Sequence, residues 1–473
     1  MSTAADPSSF SALFSRDHIA TSLMLAGGIS LYAVETYVTA TIMPSVVRDI
    51  GGLPLFAWVT TLYVTASVLG SVFIAIRPRG MTLNRTYMIG ALLLLIGSFV
   101  CAVAPSMELV LVGRAVQGFG AGTLATLGYA FIRYAFPETL WTKASSLYAA
   151  IWGVSTFVGP TLGGFFAHDS AWRYAFALII PLALIMMLLA PKLLPEGADD
   201  RTETKAAVTQ MLLLTVSLLM VSFAGTSEDV LLRLALVIGA VAAIAVMVAV
   251  EKRATVRLLP RGGVTLSNPL CRIYLAMFMM LAALTSDIYI PYFLQMLHSV
   301  TPLVSGYIVA LIALGWTAGT FFSSNFKAEV VRRTIITGTL LEAAGLGLLA
   351  LTLAADNRAG AIAPIAISSV LIFFAGVGVG LCWAHLVTYV LRIAPSDEKD
   401  KATSGITAIQ SLGSAFGAAM AGVTVNSTGL LHPGGTQGNI SAATWLFALF
   451  AVPGLIAAAA AISLPRPAAS AGD

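Results

Sequence analysis

Charged residues are scarce in this chain, and that scarcity sets its class. Of 473 residues only 10% are charged, while 58% are hydrophobic. A typical soluble domain carries about 25% charged residues. Uninterrupted runs of about 20 apolar residues mark helices that cross a bilayer, because a helix satisfies its own backbone groups in lipid. The sequence therefore predicts an all-α integral membrane protein.

Other signals are also missing. The three cysteines, Cys101, Cys271 and Cys382, all fall in apolar runs at no metal-like spacing, so we expect packing roles and no metal site. No G-x-x-x-x-G-K-[ST] phosphate loop occurs. Residues 1–18 lack the apolar core of a cleaved signal peptide. We therefore expect no cofactor, no catalysis, no nucleic-acid partner and no ATP-driven pump.

The apolar runs set the topology. We predict fourteen membrane-spanning helices, over 19–43, 55–76, 84–104, 107–134, 143–167, 173–190, 207–224, 230–250, 269–296, 303–325, 333–354, 361–391, 402–426 and 441–464. With the N-terminus inside, the outer side holds only four basic residues, Arg48, Arg173, Arg233 and Arg358. Because cytoplasmic loops carry the excess of Lys and Arg, we expect both termini in the cytoplasm.

Two polar inner segments, 191–206 and 251–268, divide the chain into six spans, two spans and six spans. The predicted domains, in chain order, are a cytoplasmic N-terminal segment, an N-terminal six-helix bundle, a linker with two extra helices, a C-terminal six-helix bundle and a cytoplasmic tail. Their respective boundaries are 1–18, 19–190, 191–268, 269–464 and 465–473.

The two sets of six spans share an internal pattern. "RTYMIGALLLLIG" at 85–97 matches "RTIITGTLLEAAG" at 333–345, an offset of 248 residues. Both copies open the third span of their half, which favours the duplication common in secondary transporters. Shifted by 248, Glu35 falls on Ala283, about one helical turn from Asp287. We therefore expect both halves to carry a carboxylate in their first span.

Two opposite charges lie inside apolar spans of the first half. Glu35 stands in the Tyr- and Thr-rich stretch "YAVETYVTATIMP", and Arg114 stands in "LVGRAVQGFGAG". At 1.5 Å per residue, Glu35 is about 24 Å from the inner end of its span and Arg114 about 10 Å from the outer end of its own. Because their depths match, we predict a pair at which protonation and cation binding compete, or a fixed structural ion pair.

The fifth span contains a run of small residues, "GVSTFVGPTLGG", from Gly153 to Gly164. Glycines let helix backbones approach closely, and Pro160 removes one backbone donor and bends the helix. The run predicts a tight, kinked helix contact that includes Gly159 and Gly163.

With these motifs the chain resembles the major facilitator superfamily, specifically its fourteen-span drug:proton antiporters. "ETYVTATIMP", "GRAVQGFGAG" and "GPTLGG" are similar to the motifs of that family's spans 1, 4 and 5, with Glu in place of the usual Asp. The resemblance implies two six-helix bundles around a cavity, plus two inserted helices. It also implies Glu35 as proton-coupling acid and Arg114 as its partner. The implied antiporter hinge is formed by Gly159, Pro160, Gly163 and Gly164.

The resemblance further implies a function. We expect a proton-coupled antiporter that exports amphipathic, cationic drugs or toxic compounds by alternating access, as a monomer in the cell (inner) membrane. Its partners would be protons, the lipid bilayer and a small amphipathic substrate. The alternative is an exporter of one dedicated metabolite, lipid or siderophore.

One motif of the family is altered. The loop between spans 2 and 3 reads "AIRPRGMTLNR", with no acid, and Arg79 stands about where the family has Asp. That Asp helps to hold the inner gate shut in relatives. We therefore expect this chain to latch differently or to open inward more readily.

Two further acids and one histidine are embedded in the second half. Asp287, in "LTSDIYIPYFLQ", is predicted to be a second protonation or cation-contact site, or a hydrogen-bonded acid near a turn at Pro291. Glu342 lies in a span expected at the periphery, and no role is assigned to it. His385 would shuttle protons or pack.

Aromatic and amide side chains at membrane depth complete the candidates. Rings that face a cavity with carboxylates would suit lipophilic cations, although packing is the alternative role for each. The substrate-cavity candidates are Tyr37, Gln117, Trp152, Tyr292, Trp383 and His385.

Overall fold

Every regular element in the described part of the chain is helical. The computed structural model describes residues 10–16, 18–77, 80–167, 171–196 and 207–464. The predicted N-terminal segment therefore lies largely outside the described residues, as do Arg79 and the predicted tail 465–473. In the ranges that the structure does cover, thirteen helical stretches are long and apolar enough to cross a membrane.

The helices of the first half are α1 to α7. Their bounds are α1 Ile19–Ile50, α2 Phe56–Ile76, α3 Leu83–Val103, α4 Met107–Ala135, α5 Glu138–Phe166, α6 Trp172–Ala177 and α7 Ile179–Leu193. The short α6 and α7 together form one stretch of membrane-crossing length, Trp172–Leu193. Helix α4 has 29 residues, which at 1.5 Å per residue is about 43 Å, so it is also long enough to span.

The remaining helices are α8 to α16. Their bounds are α8 Val208–Thr226, α9 Val230–Arg253, α10 Pro269–Leu284, α11 Ile290–His298, α12 Pro302–Ser323, α13 Ala328–Thr352, α14 Ile362–Ile393, α15 Lys399–Val425 and α16 Gly435–Ile462. A 3₁₀ segment, Thr285–Tyr289, joins α10 to α11. The single span predicted over 269–296 is therefore interrupted, because Pro291 in the first turn of α11 lacks a backbone N–H.

The chain forms two compact units. The first comprises residues 1–52 and 62–206, and the second comprises residues 53–61 and 207–473. The two extra helices, α8 and α9, therefore belong to the second unit.

Close backbone approach joins α3 to α4 in the first unit. A Cβ added to Gly97 would lie 2.5 Å from the backbone N of Gln117, and one added to Gly120 would lie 2.5 Å from that of Leu94. Real Cβ atoms do not come this close, so any larger side chain would force the helices apart.

The same contacts recur between α13 and α14 in the second unit. Gly345 approaches the backbone of Ala375, and Gly378 approaches the backbone N of Glu342. These pairs match those of the first unit at offsets of 248 residues for α3 and α13, and 258 for α4 and α14. The predicted duplication therefore extends to individual backbone contacts, and Glu342 is the counterpart of Leu94.

The first spans of the two halves follow a different register. A Cβ on Gly163 of α5 would meet Cβ of Thr41, and one on Gly417 of α15 would meet Cβ of Thr285. The corresponding offset for α1 and α10 is 244 residues, so Glu35 matches Met279, not Ala283. Asp287 lies eight residues beyond that position, about 12 Å along a helix. The sequence shift of 248 was wrong here, because the connections between spans differ in length.

A buried carboxylate ties the two extra helices to the loop that follows them. Glu251, 2% exposed at the end of α9, accepts hydrogen bonds from the backbone N of Leu259 at 2.7 Å and of Leu258 at 3.1 Å. It also accepts one from Nε2 of Gln210, in the first turn of α8, at 3.0 Å. This single side chain fixes the course of the polar segment predicted as the second inner loop.

Replacement of Glu251 by alanine is expected to destabilise the protein by about 2–3 kcal/mol, because it leaves buried donors without an acceptor. Thermal unfolding of the purified protein in detergent measures the loss. The neighbouring Lys252 is exposed, and its replacement by alanine serves as the matched control with no expected change. Equal unfolding temperatures for the two variants would contradict the assigned role.

Candidate functional site

The first unit contains a buried ion pair at the middle of α1. Glu35 is 1% exposed and Arg114 is 2% exposed, and Nη1 of Arg114 donates to Oε1 of Glu35 at 2.5 Å. The proximity expected from matching depths is therefore confirmed. Burial removes water from both charges, so each depends on the other for compensation.

Arg114 is held by a chain of hydrogen bonds that crosses to α3. Its Nη1 also donates to Oε1 of Gln117 at 2.8 Å, and Nε2 of Gln117 donates to Oγ of Ser98 at 2.9 Å. Ser98 in turn donates to the carbonyl of Leu94 at 2.7 Å. The spacing of three residues puts Arg114 and Gln117 on one face of α4. Fully buried Gln117, a cavity candidate from the sequence, is thus placed to orient Arg114.

An aromatic group adjoins the guanidinium. The Cζ atom of Arg114 lies 3.9 Å from the centre of the Tyr63 ring, within the range of a cation–π interaction. Tyr63 stacks on Tyr32 at 5.7 Å between ring centres, and Tyr32 meets the edge of Trp152 at the same separation. Three ring systems from α1, α2 and α5 thereby line one side of the ion pair.

The second carboxylate oxygen of Glu35 makes no contact with Arg114 through a hydrogen bond. Oε2 is buried and has no hydrogen-bond partner among the residues that the structure describes. A carboxylate oxygen in an apolar site gains from a proton, a cation or a hydrogen-bond donor. The pair therefore combines a committed oxygen, which holds Arg114, with an uncommitted oxygen that is available to a ligand.

The tyrosine ring, rather than its hydroxyl group, carries the contact with Arg114. The buried hydroxyl of Tyr63 has no hydrogen-bond partner in the described ranges. We expect Tyr63→Phe to retain transport and Tyr63→Leu to lose about 2 kcal/mol of stability, since a desolvated cation–π contact has that magnitude. Unfolding of both purified variants tests this, and similar losses would instead implicate the hydroxyl.

The small residues of α5 pack directly on α1. A Cβ on Gly159 would overlap Cβ of Tyr37, and one on Gly163 would lie 2.7 Å from Cβ of Thr41. The neighbouring Pro160 and Gly164 are buried in the same part of α5. The predicted tight contact is confirmed for Gly159 and Gly163, which meet α1 two and six residues beyond Glu35.

Gly153 lies apart from that contact. It is exposed, and a Cβ added there would have no neighbour within 4 Å. Tyr37, half-buried, lies against Gly159 at the same helix contact.

The second unit carries Asp287 in its 3₁₀ segment. The side chain is half-buried, and no ion pair to it occurs among the described residues. Nearby Tyr292 is 7% exposed, donates to Oδ1 of Asn439 at 3.4 Å, and meets the ring of Phe56 edge-on at 5.6 Å. The predicted role of Asp287 as a protonation or cation-contact site stays a prediction.

Trp383 and His385 lie in the C-terminal third of α14. Trp383 meets Trp316 edge-on at 5.5 Å, and Nε2 of His385 lies 3.1 Å from the carbonyl of Ser323. Since a carbonyl only accepts, this nitrogen carries a proton, and the contact joins α14 to α12. Both residues are half-buried.

Several members of the first-unit site were absent from the sequence prediction. Tyr63 and Ser98 carry no motif of their own, and their contribution depends on which face of α2 or α3 meets Arg114. Tyr32 opens the Tyr- and Thr-rich stretch of the first span, but it was not named as a site residue. Ser98 lies eight residues after Gly90 on α3, and both pack against α4. This face of small residues on α3 was the sequence signal that could have identified Ser98 as a site residue.

Comparison with known proteins agrees with this architecture. The family model "Major Facilitator Superfamily" matches residues 25–327 and 275–472. The chain belongs to this superfamily, and it is a multi-pass membrane transport protein rather than an enzyme.

Individual relatives are similar along nearly the whole chain. A "probable multidrug-efflux transporter" of Mycobacterium tuberculosis is 36% identical over 95% of this chain and 95% of the relative. A multidrug transporter protein of Bacillus subtilis is 25% identical over 84% of this chain and 73% of its own. Among solved structures, a D-xylose-proton symporter has a TM-score of 0.62 at 17% identity, covering 95% of this chain and 98% of that one. The last likeness supports the fold alone.

Proposed function

We propose that the chain is a proton-coupled antiporter that exports amphipathic, cationic drugs or toxic compounds by alternating access. Similarity to transporters named for multidrug efflux supports the substrate class. The observation that carries the proton coupling is the buried pair of Glu35 and Arg114, in which one carboxylate oxygen remains without a partner.

Charge balance at this pair supplies the coupling mechanism. With Glu35 ionised, the pair is neutral. A proton on Glu35 removes the negative charge that balances the buried guanidinium of Arg114, which costs several kcal/mol. The protonated pair therefore favours a conformation in which Arg114 regains water or another partner. A proton arriving from outside would thereby drive the carrier from one state to the next.

The same charge change explains exchange for a cation. A cationic substrate is attracted by the uncommitted oxygen of ionised Glu35, and it is repelled by Arg114 once Glu35 is protonated. The rings of Tyr32, Tyr63 and Trp152 offer apolar faces to a flat or lipophilic substrate. Binding from the cytoplasm or inner leaflet, followed by protonation from outside, gives net export.

Location and topology are part of the proposal. The bias of Lys and Arg toward one set of loops supports a cell (inner) membrane protein with both termini in the cytoplasm. The site is built within one unit of one chain, which agrees with a monomeric transporter. Asp287 is proposed as an additional contact for the cation or the proton.

A drug-accumulation panel tests the proposed function. The protein is expressed in a drug-sensitive bacterial host, and cellular accumulation of lipophilic cations and of matched neutral compounds is measured with and without a protonophore. We expect lower accumulation of the cations, and loss of that effect when the proton gradient collapses. Unchanged accumulation across the panel, together with efflux of a single metabolite, would favour the dedicated exporter instead.

A further inference from the structure

The second unit holds a buried carboxyl that the proposed coupling site does not use. Glu342 of α13 is 0% exposed, at the crossing with α14. A Cβ on Gly378 would lie 2.7 Å from its backbone N and 3.1 Å from its Cβ, so the two helices meet at this residue.

Among the residues that the structure describes, no cation pairs with Glu342, in contrast to Glu35. In the register set by the glycine contacts, the first unit's polar residues Glu35, Ser98, Arg114 and Gln117 correspond to Met279, Leu346, Ile372 and Ala375. The last three of these are at most 1% exposed. The second unit has thus replaced the whole ion-pair network by apolar side chains. At the position where the first unit has Leu94, it carries an acid instead.

Neither oxygen of Glu342 has a hydrogen-bond partner within the described parts of the chain. Two polar side chains of the same helix contact donate elsewhere: Thr339 donates to the carbonyls of Ile335 and Ile336, and Sγ of Cys382 donates to the carbonyl of Ile335. An ionised carboxylate in such a site would cost several kcal/mol. The neutral acid is the form that this environment accommodates.

We propose that Glu342 is a second proton-binding site, which holds its proton in this conformation and exchanges it when the contact between α13 and α14 opens during transport. The proposal rests on the proposed proton-coupled function. It adds a second proton, bound by an acid that, unlike Glu35, is not paired with an arginine.

The helices that pack around Glu342 carry few other titratable side chains near it, so we assign the proton of the contact between α13 and α14 to Glu342. Cys382 is the titratable side chain that α14 presents nearby. Helix α16, which packs on the adjacent Ala343 through Gly454, has no titratable residue. Helix α10 carries Cys271, Arg272 and Tyr274 near its start. On α13 itself the charges Glu329, Arg332 and Arg333 lie nine to thirteen residues earlier, about 13–20 Å away along the axis.

Infrared difference spectroscopy tests the proposal. The C=O stretch of a protonated carboxylic acid is recorded for the purified protein in lipid, with and without the lipophilic cation tetraphenylphosphonium. It is assigned to Glu342 by its loss in Glu342→Gln. We expect a band in the unliganded protein that weakens on addition of the cation. Absence of a Glu342 band would mean an ionised side chain, and a band unchanged by the cation would mean a fixed proton. Either result overturns the proposal.

Proton counting provides a second readout. Glu342→Gln is uncharged and similar in shape, and Glu342→Leu reproduces the side chain of the first unit, so both are expected to fold. We expect each variant to release one proton fewer per transport cycle than the wild type. Unchanged proton release would overturn the proposal. Failure of the coupling site itself is distinguishable, because it would appear as proton-driven efflux that survives Glu35→Gln.

Discussion

Replacement of Glu35 by glutamine is expected to abolish efflux driven by a proton gradient and to weaken the exchange of a cationic substrate. Glutamine keeps an acceptor for Nη1 of Arg114 but binds no proton in the physiological range. Export against a gradient should therefore fall to the level of membranes without the protein. Exchange of labelled for unlabelled substrate requires no net proton movement, but the neutral amide no longer balances the charge of Arg114, so exchange of a cation should fall as well. Both are measured in proteoliposomes.

Glu35→Asp is the matched control, because it retains an acid one methylene shorter. We expect partial proton-driven efflux from this variant. If Glu35→Gln pumps as well as the wild type, the assignment of the coupling proton to Glu35 is wrong.

The free energy of unfolding should report the interaction between Glu35 and Arg114 independently of transport. Arg114→Met leaves ionised Glu35 buried without a partner, which is expected to cost about 3–5 kcal/mol. The double variant Glu35→Gln with Arg114→Met leaves no charge uncompensated, so most of that loss should be recovered while transport remains absent. Thermal unfolding of the wild type, the two single variants and the double variant measures this. Additive losses would mean that the two side chains do not act as a pair.

Replacement of Gly163 by valine is expected to reduce the transport rate on the order of 100-fold, the effect of a displacement of about 1 Å at a reacting group. Its Cβ would lie 2.7 Å from Cβ of Thr41 and 3.1 Å from the carbonyl O of Val38, whereas apolar atoms rest at about 3.5–4.0 Å. Helix α1 must therefore move, and Glu35 moves with it. Transport in proteoliposomes, normalised to folded protein, measures the effect.

Gly153 supplies the control on the same helix. Since a Cβ at this exposed position would meet no atom within 4 Å, Gly153→Val is expected to transport at the wild-type rate. Equal losses in both variants would point to helix propensity or insertion rather than to the contact between α1 and α5.

The fold was predictable from the sequence to the level of individual spans, because membrane-crossing helices must be long and apolar whatever their neighbours. The pairing of Glu35 with Arg114 was predictable for a related reason. Two opposite charges in apolar helices have few places to be compensated, and their depths follow from residue counts.

The rest depended on helix rotation and register, which apolar sequences encode weakly. Tyr63 and Ser98 belong to the site because the glycine faces of α2, α3 and α4 pack together, and this packing is not evident from the sequence. The symmetry argument for Asp287 used the register of α3 and α13. The first spans follow a register four residues shorter, which places Asp287 about two turns beyond the counterpart of Glu35.

The central claim is that substrate and proton compete for the uncommitted oxygen of Glu35. It is tested most directly by proton release when tetraphenylphosphonium is added to purified protein in weakly buffered detergent solution, recorded with a pH indicator. The account predicts release by the wild type, stronger at low pH where Glu35 is protonated, and a smaller release by Glu35→Gln. Binding of the cation without proton release, or equal release by both proteins, would contradict it.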